Sequence, residues 1–342
     1  MSSSVIPRSR ILGTGHYTPA KVVENRDLER VVDTSDSWIV ERTGIRRRHI
    51  AADDEVTSDL ATAAGRRALE AAGLNVADLD MIIVGTISAD SPMPACAVHV
   101  QQKLGAEEIP AFDISAACAG FLYGMTIADQ FIATGAARCV LVVGVELLSR
   151  LLNWDDRTTC VLFGDGAGAV VMVSSDFRRP GEQRPDGPPP GILSTHLFTD
   201  GSLAPALSIP GGGSAEPLTP ETLSRKRNKV HMVGQEVFKV AIRNLTSASA
   251  LALKSSGLTS ADLDWVVAHQ ANLRIINQVS DRLGFPLNKF VLNIEEYGNT
   301  SSASIPIALD EATRDGRIRP GQHVLLCALG AGISWGSALV RM

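Results

Sequence analysis

Short apolar runs along this chain alternate with stretches in which apolar residues recur at helical spacing, the pattern of buried strands interleaved with amphipathic helices. Residues 57–72 form an alanine-rich amphipathic stretch ended by Gly73, and they lead through Ala77-Asp78-Leu79-Asp80 into an apolar strand over 81–86. Far downstream, residues 253–256 are ended by Gly257 and lead through Ala261-Asp262-Leu263-Asp264 into a strand over 265–268. The two passages match at an offset of 253 − 69 = 184 residues, and the same offset relates 140–144 to 324–328. Repetition at half the chain length predicts two copies of a helix-and-strand unit, an α/β fold with strands covered on both faces. Residues 11–15 read as a short strand with a glycine turn, and 330–336 as a flexible turn after a strand over 324–329. Residues 174–191 hold too much Pro and Gly to pack and read as a linker, and 208–227, with Gly211-Gly212-Gly213, as a loop.

Composition adds scale. With 342 residues, 45% hydrophobic and 20% charged, the chain can bury a large core. The expected division is a half over 1–175, a Pro/Gly-rich linker over 176–191 and a second half over 192–342. A net charge of -5 and a pI near 5.8 argue against bulk binding to nucleic acid or anionic membrane. No run approaches a membrane span and residues 1–13 lack the apolar core of a signal peptide, so a cytoplasmic protein is expected. Cys96, Cys118, Cys139, Cys160 and Cys327 are odd in number and widely spaced, which predicts neither a disulfide framework nor a metal site.

One of these cysteines has an address suited to chemistry. Cys118 lies in Ser-Ala-Ala-Cys-Ala-Gly-Phe, between an apolar run ending near Phe112 and a helical pattern over 122–134 that Gly135 stops. Small neighbours leave room above the sulfur, and the free amides of a helix N-terminus favour a thiolate. His269 ends the apolar strand 265–268, at the carboxyl edge where open α/β sheets collect their sites. Asn299 follows a glycine in Tyr-Gly-Asn-Thr-Ser, in a turn before a small-residue helix start, and the Gly330-Ala331-Gly332 amides are placed to meet an oxyanion. Trp38 and Arg42, four apart, share a helical face, an aromatic and a guanidinium suited to an adenine ring and a phosphate, with Arg46, Arg47 and Arg48 following.

These motifs, with Ser-Trp-Ile-Val-Glu-Arg-Thr-Gly-Ile, Phe163-Gly164-Asp165-Gly166-Ala167-Gly168-Ala169 and Trp335-Gly336-Ser337-Ala338, resemble those of β-ketoacyl-acyl-carrier-protein synthase III over nearly the whole chain. The resemblance implies a thiolase-like five-layer αβαβα sandwich of two similar halves, a homodimer, and no metal or cofactor beyond thioester substrates. It implies that Cys118 takes an acyl group from acyl-CoA and that malonyl-acyl carrier protein then condenses with it, losing CO2. His269 and Asn299 would steady the enolate, and the amides of Cys118 and Ala331 the tetrahedral oxyanion. By position it assigns Trp38, Arg42, Thr43 and Arg157 to the CoA nucleotide, and Met232, Gly234, Asn272, Leu329 and Met93 to the pantetheine tunnel and acyl pocket. Lys239 and Gln270, Ala271, Asn272, Leu273 and Arg274 fall to the carrier-protein contact zone.

Departures from the family pattern bear on specificity. Leu329, Ile333 and Met93 stand where aromatics are common, and Ala331 where glycine is, so a longer or branched starter is one reading and compensating repacking another. Asp281 replaces a basic residue near the carrier-protein zone of some relatives. A starter-loading enzyme or acyltransferase of secondary metabolism, keeping Cys118 and His269, is the alternative activity. A noncatalytic partner in a lipid-synthesis complex is the alternative class.

Overall fold

The computed structural model describes residues 9–178 and 187–342, so residues 1–8 and residues 179–186 of the expected linker lie outside the described residues. Two sheets carry the internal repeat. In spatial order the first is Ser9–Tyr17, Gly166–Ser174, Cys139–Glu146, Met81–Gly85 and Ala111–Ile114; the second is Trp265–Ala268, His323–Gly330, Ser334–Arg341 and Gly191–Thr199. Met81 pairs with Val140 in parallel register, and Trp265 pairs with Val324 in the same way. Since 265 − 81 and 324 − 140 are both 184, the repeat read from the sequence extends to individual strand partners. The strand Ala111–Ile114 has only a trace of a counterpart, a parallel bridge between Val266 and Phe290.

Helices fill the remaining layers. Thr57–Ala72 and Cys96–Leu104 cover the outer face of the first sheet, and Gly234–Ser255 with Leu273–Leu283 covers that of the second. Gly120–Ala133 and Ser304–Arg314 lie between the sheets and touch strands of both. The result is five layers, αβαβα. A helix packed on two sides needs apolar residues around most of its circumference, and Gly120–Ala133 buries Phe121, Leu122, Met125, Ala128 and Ile132. Thr57–Ala72 begins and ends where its periodicity predicts, with Gly73 in the left-handed region at φ 67 closing it.

Three loop expectations are corrected. Gly13 and Gly15 do not turn: Ser9–Tyr17 is one continuous strand. They are glycines because the Thr57–Ala72 helix crosses directly over them, and a Cβ at either would lie 2.4 Å from helix backbone atoms. Residues 330–336 form a tight connection between two antiparallel strands, pinned by mutual backbone hydrogen bonds between Asp200 and Ile333 at 2.9 and 3.1 Å. Residues 208–227 are not an open loop: Leu207–Ser208 pairs with His231–Met232, Thr219 caps a short helix over Pro220–Ser224, and Arg227 pairs with Glu216 at 2.7 Å.

Candidate active site

Cys118 sits in the 3-10 turn Ala117–Ala119 that runs straight into the central helix Gly120–Ala133. Ala117 holds φ 45, a conformation that costs an alanine energy, and the turn it makes lifts the next residue out of the strand direction. The second sheet reaches the same point through Gly330, where a Cβ would lie 2.5 Å from the Cys118 amide nitrogen. Only glycine tolerates that approach, and it brings the Ala331 backbone beside that of Cys118. Against the thiolate expected at a helix terminus, burial and the nearby Glu146 charge push the Cys118 thiol up to about 12, with the Ser301 hydroxyl and its own backbone amide opposing them.

His269 follows the strand Trp265–Ala268, and its amide bonds to the Cys327 carbonyl at 2.8 Å. Its ring is buried, with Nδ1 2.6 Å from the Ser304 Oγ at the start of the second central helix. That Oγ also receives the Gln270 amide at 3.4 Å, and with Ser304 assigned as the donor to Nδ1 the ring proton lies on Nε2. Burial pulls the imidazole down to about 3, which keeps it neutral at physiological pH.

Asn299 is clamped by backbone bonds to Leu162 and Gly164 at 2.8 and 3.1 Å. Its Oδ1 accepts the Ser301 amide at 2.9 Å, which leaves Nδ2 as the end that can donate into the site. Ser301 itself holds φ 50 and turns its hydroxyl to Glu146 at 3.2 Å. Glu146 ends the strand Cys139–Glu146, fully buried, and also binds Ser88 Oγ at 2.6 Å and the Ile87 amide at 3.2 Å.

Two cavities meet at Cys118. One, of about 170 Å³, is lined by Cys118, His269 and Asn299 together with Met232, Gly234, Asn272 and Leu329. The other, of about 710 Å³, runs from Cys118 and Ala331 past Leu148 and Leu151 to Ile209 and Leu218. Sequence reading missed Phe163 and Leu207, which line both, and Phe238, Ala241 and Ile275 of the first. Helical spacing marks such residues only as core, because their cavity exists only once the halves are folded. The same holds for Ser304 and Glu146.

At the outer end, Trp38 lies on the helix Asp36–Thr43 with the Arg42 guanidinium 4.6 Å and that of Arg157 5.1 Å from its ring centroid. Arg157 also bonds to the Asp33 carbonyl at 2.9 Å. Asn272 Nδ2 donates to the Arg42 carbonyl at 3.0 Å, tying this patch to the tunnel residues. Thr43 departs from expectation: it is buried, its hydroxyl donating to the Ile39 carbonyl at 2.6 Å and accepting the Ile45 amide at 3.0 Å. Gln270 departs too, being only 1% exposed and bonded to the Ala268 and Val291 carbonyls, so it braces the site from behind and cannot meet a carrier protein. Lys239 and Arg274 are exposed, Ala271, Asn272 and Leu273 half-buried. Met93 is 85% exposed and lines neither cavity, although its neighbour Pro92 lines the larger one.

The chain is similar to known proteins over nearly its whole length. The profile of 3-oxoacyl-(acyl-carrier-protein) synthase III matches residues 112–201, and that of the synthase III C terminal matches residues 253–342. The chain is 52% identical over 338 residues to the β-ketoacyl-acyl-carrier-protein synthase III of Paramagnetospirillum magneticum, covering 99% of this chain and 100% of the relative. It is 50% identical to that of Methylococcus capsulatus, over 97% and 98% of the two chains. The crystal structure of the Aquifex aeolicus synthase III superposes with a TM-score of 0.88 at 42% identity, over 98% of this chain and 100% of that one. The priming β-ketosynthase of the R1128 polyketide pathway superposes with a TM-score of 0.87 at 36% identity, over 100% and 99%.

Proposed function

The chain belongs to the β-ketoacyl-acyl-carrier-protein synthase III family, thiolase-fold condensing enzymes that transfer acyl groups at the start of fatty-acid synthesis, and on that premise we propose how its own residues carry the reaction. Cys118 attacks the thioester carbon of an acyl-CoA starter, the carbon–sulfur bond to CoA breaks, and CoA leaves as a thiol, giving the acyl-enzyme. Malonyl-acyl carrier protein then enters by the tunnel. As its carboxylate leaves as CO2, His269 Nε2–H and Asn299 Nδ2 donate to the thioester oxygen and hold the enolate. The carbanion attacks the acyl carbon, the amides of Cys118 and Ala331 hold the tetrahedral oxyanion, and the Cys118 thiolate departs. Decarboxylation itself creates the carbanion, so no strong base is required. The reaction needs no metal or resident cofactor.

The single observation that carries this reading is the junction. Cys118, His269 and Asn299 line one small cavity, which meets at Cys118 a second, largely apolar one, so thioester and acyl chain have separate places. Trp38, Arg42 and Arg157 supply a nucleotide patch, with Arg157 moving off the indole to admit adenine. Met232, Gly234, Asn272 and Leu329 line the pantetheine path. Lys239 and Arg274, with Ala271, Asn272 and Leu273 between them, offer a basic mouth to an acidic carrier protein. The reading includes a homodimer, supported by the first sheet's edge strand Ala111–Ile114, which pairs on one side only, and by exposed Met93, which would reach the partner's acyl cavity. The two halves, 1–175 and 192–342, descend from one repeated unit. No helix among the described residues is long and apolar enough to cross a membrane, which accords with a cytoplasmic enzyme.

The test is intact-protein mass spectrometry with a ladder of acyl-CoAs from acetyl to dodecanoyl, followed by a malonyl-acyl carrier protein chase. Expected is a mass gain on Cys118 that the chase clears to a 3-oxoacyl carrier product. An acyl-enzyme that malonyl carrier cannot clear sinks the condensing role and favours an acyltransferase.

A further inference from the structure

Glu146 is a buried carboxylate whose hydrogen-bond partners are all uncharged: Ser88 Oγ, the Ile87 amide, Thr86 Oγ1 at 3.3 Å and Ser301 Oγ at 3.2 Å. All four donate to it, a demand for acceptors that a carboxylate meets at both oxygens at the cost of burying a charge. The carboxylate is separated from the nucleophile by one side chain. Ser301 touches Glu146 with its hydroxyl and Asn299 with its amide, and it lines the larger cavity together with Cys118. It does so from a left-handed backbone, φ 50, that serine pays to adopt. Meanwhile His269, with Ser304 donating to Nδ1, presents Nε2–H to the cavity and has no lone pair there for the thiol proton.

We propose that Glu146, acting through the Ser301 hydroxyl, is the positioning residue that holds the proton displaced from Cys118, so that one negative charge is shared between carboxylate and thiolate. This rests on Cys118 being the nucleophile. The Cys118 S–H bond breaks and its proton goes to Ser301 Oγ, while the Ser301 hydroxyl proton goes to a Glu146 oxygen. Cys118 thiolate, intact Ser301 and neutral Glu146 remain, and the total charge is unchanged. The ionisation energetics fit: burial lifts Glu146 from 4.5 to about 7, and its charge in turn raises Cys118. The other titratable group facing Glu146 is Cys96, which burial holds far up and which Asp90 and Asp113 also disfavour as thiolate. Asp113, itself raised by burial, is engaged by the Cys96 and Ala97 amides at 2.6 and 2.8 Å.

Two coupled groups lose their first shared proton in one step, and the thiolate fraction then stays level until the second leaves. The probe is iodoacetamide, with alkylation of the Cys118 peptide timed by mass spectrometry from about pH 6 to about pH 9. Expected for the wild type is a rate that climbs, bends near 7, the value to which Glu146 is lifted, and flattens. In Glu146→Gln the bend disappears and the rate climbs about tenfold per pH unit throughout. Glu146→Asp, one methylene further from Ser301, keeps the bend but lowers the plateau, as does Ser301→Ala, by about tenfold. A wild-type profile without a bend, or a Glu146→Gln profile superimposable on it, overturns the proposal. So does a Glu146→Gln protein that only melts earlier. The reagent is not a thioester, so the outcome is independent of whether the enzyme condenses acyl groups.

Discussion

His269 Nδ1 and Ser304 Oγ lie 2.6 Å apart, a buried contact between the end of a second-sheet strand and the start of a central helix. The hydroxyl selects the tautomer that turns an N–H toward Asn299 and Cys118. Ser304→Ala frees the ring to adopt the other tautomer and removes about one hydrogen bond of preorganisation. Malonyl-carrier decarboxylation should fall about tenfold while the acylation of Cys118 by acyl-CoA stays near wild type. Separate single-turnover measurements of the two half-reactions check this, and an equal loss in both would refute it.

Gly330 carries a sharper demand. A Cβ there would lie 2.5 Å from the Cys118 nitrogen and 2.9 Å from the Ala116 carbonyl oxygen, both backbone atoms with little room to shift. Gly330→Ala therefore displaces Ala331 from the oxyanion position. Acyl transfer to Cys118 should slow by on the order of a hundredfold, the usual loss of one oxyanion donor. Circular dichroism alongside the acylation time course separates this from unfolding.

Trp38 and Arg157 should act on the nucleotide alone. Trp38→Ala is expected to raise KM for acyl-CoA about tenfold with kcat unchanged, since a stacking contact remote from the thioester is present in ground and transition states alike. An acyl-pantetheine lacking the nucleotide should be used equally by wild type and variant. If both substrates suffer, the indole has another role.

Chain length should follow the larger cavity. At about 710 Å³ it exceeds the needs of an acetyl group, and Leu151 is part of its wall. Octanoyl-CoA should acylate the wild type, and Leu151→Trp should cut the ladder to shorter starters while sparing acetyl-CoA. An unchanged ladder would place the acyl chain elsewhere.

Acid should weaken the fold through His269. Its folded value, pulled down by burial to about 3, lies below the ordinary 6.5, so between these values the unfolded chain binds more protons. Stability is therefore full above 6.5 and is lost as pH falls toward 3. Glu146 has the opposite sign: lifted from 4.5 to about 7, it favours the fold most below 4.5 and loses that contribution as pH rises through 7. Melting temperatures from about pH 4 to about pH 7 should fall more steeply toward acid in the wild type than in His269→Asn. Parallel curves would contradict the sign.

Local pattern and spacing alone determined a large part of this protein. The 184-residue offset foretold two equivalent strand pairs, Met81 with Val140 and Trp265 with Val324. Periodicity bounded the Thr57–Ala72 helix, a strand-to-helix handover marked Cys118 and a strand end marked His269, while Asn299 was marked by the family resemblance of its motif. These are properties of neighbours in the chain. Tertiary structure decided what depends on distant segments meeting. Gly13 and Gly15 looked like a turn until a helix was seen to cross them, and Gln270 and Thr43 looked like contact residues until their side chains were found spent on internal bonds. Ser304 and Glu146 bore no mark, and Ser301 stood in a quoted motif without a role, because a hydroxyl or carboxylate acquires its role from the groups folded against it. The surroundings of Cys118 follow the same division: a helix terminus is local and favours the thiolate, whereas the desolvation that raises the thiol belongs to the assembled core.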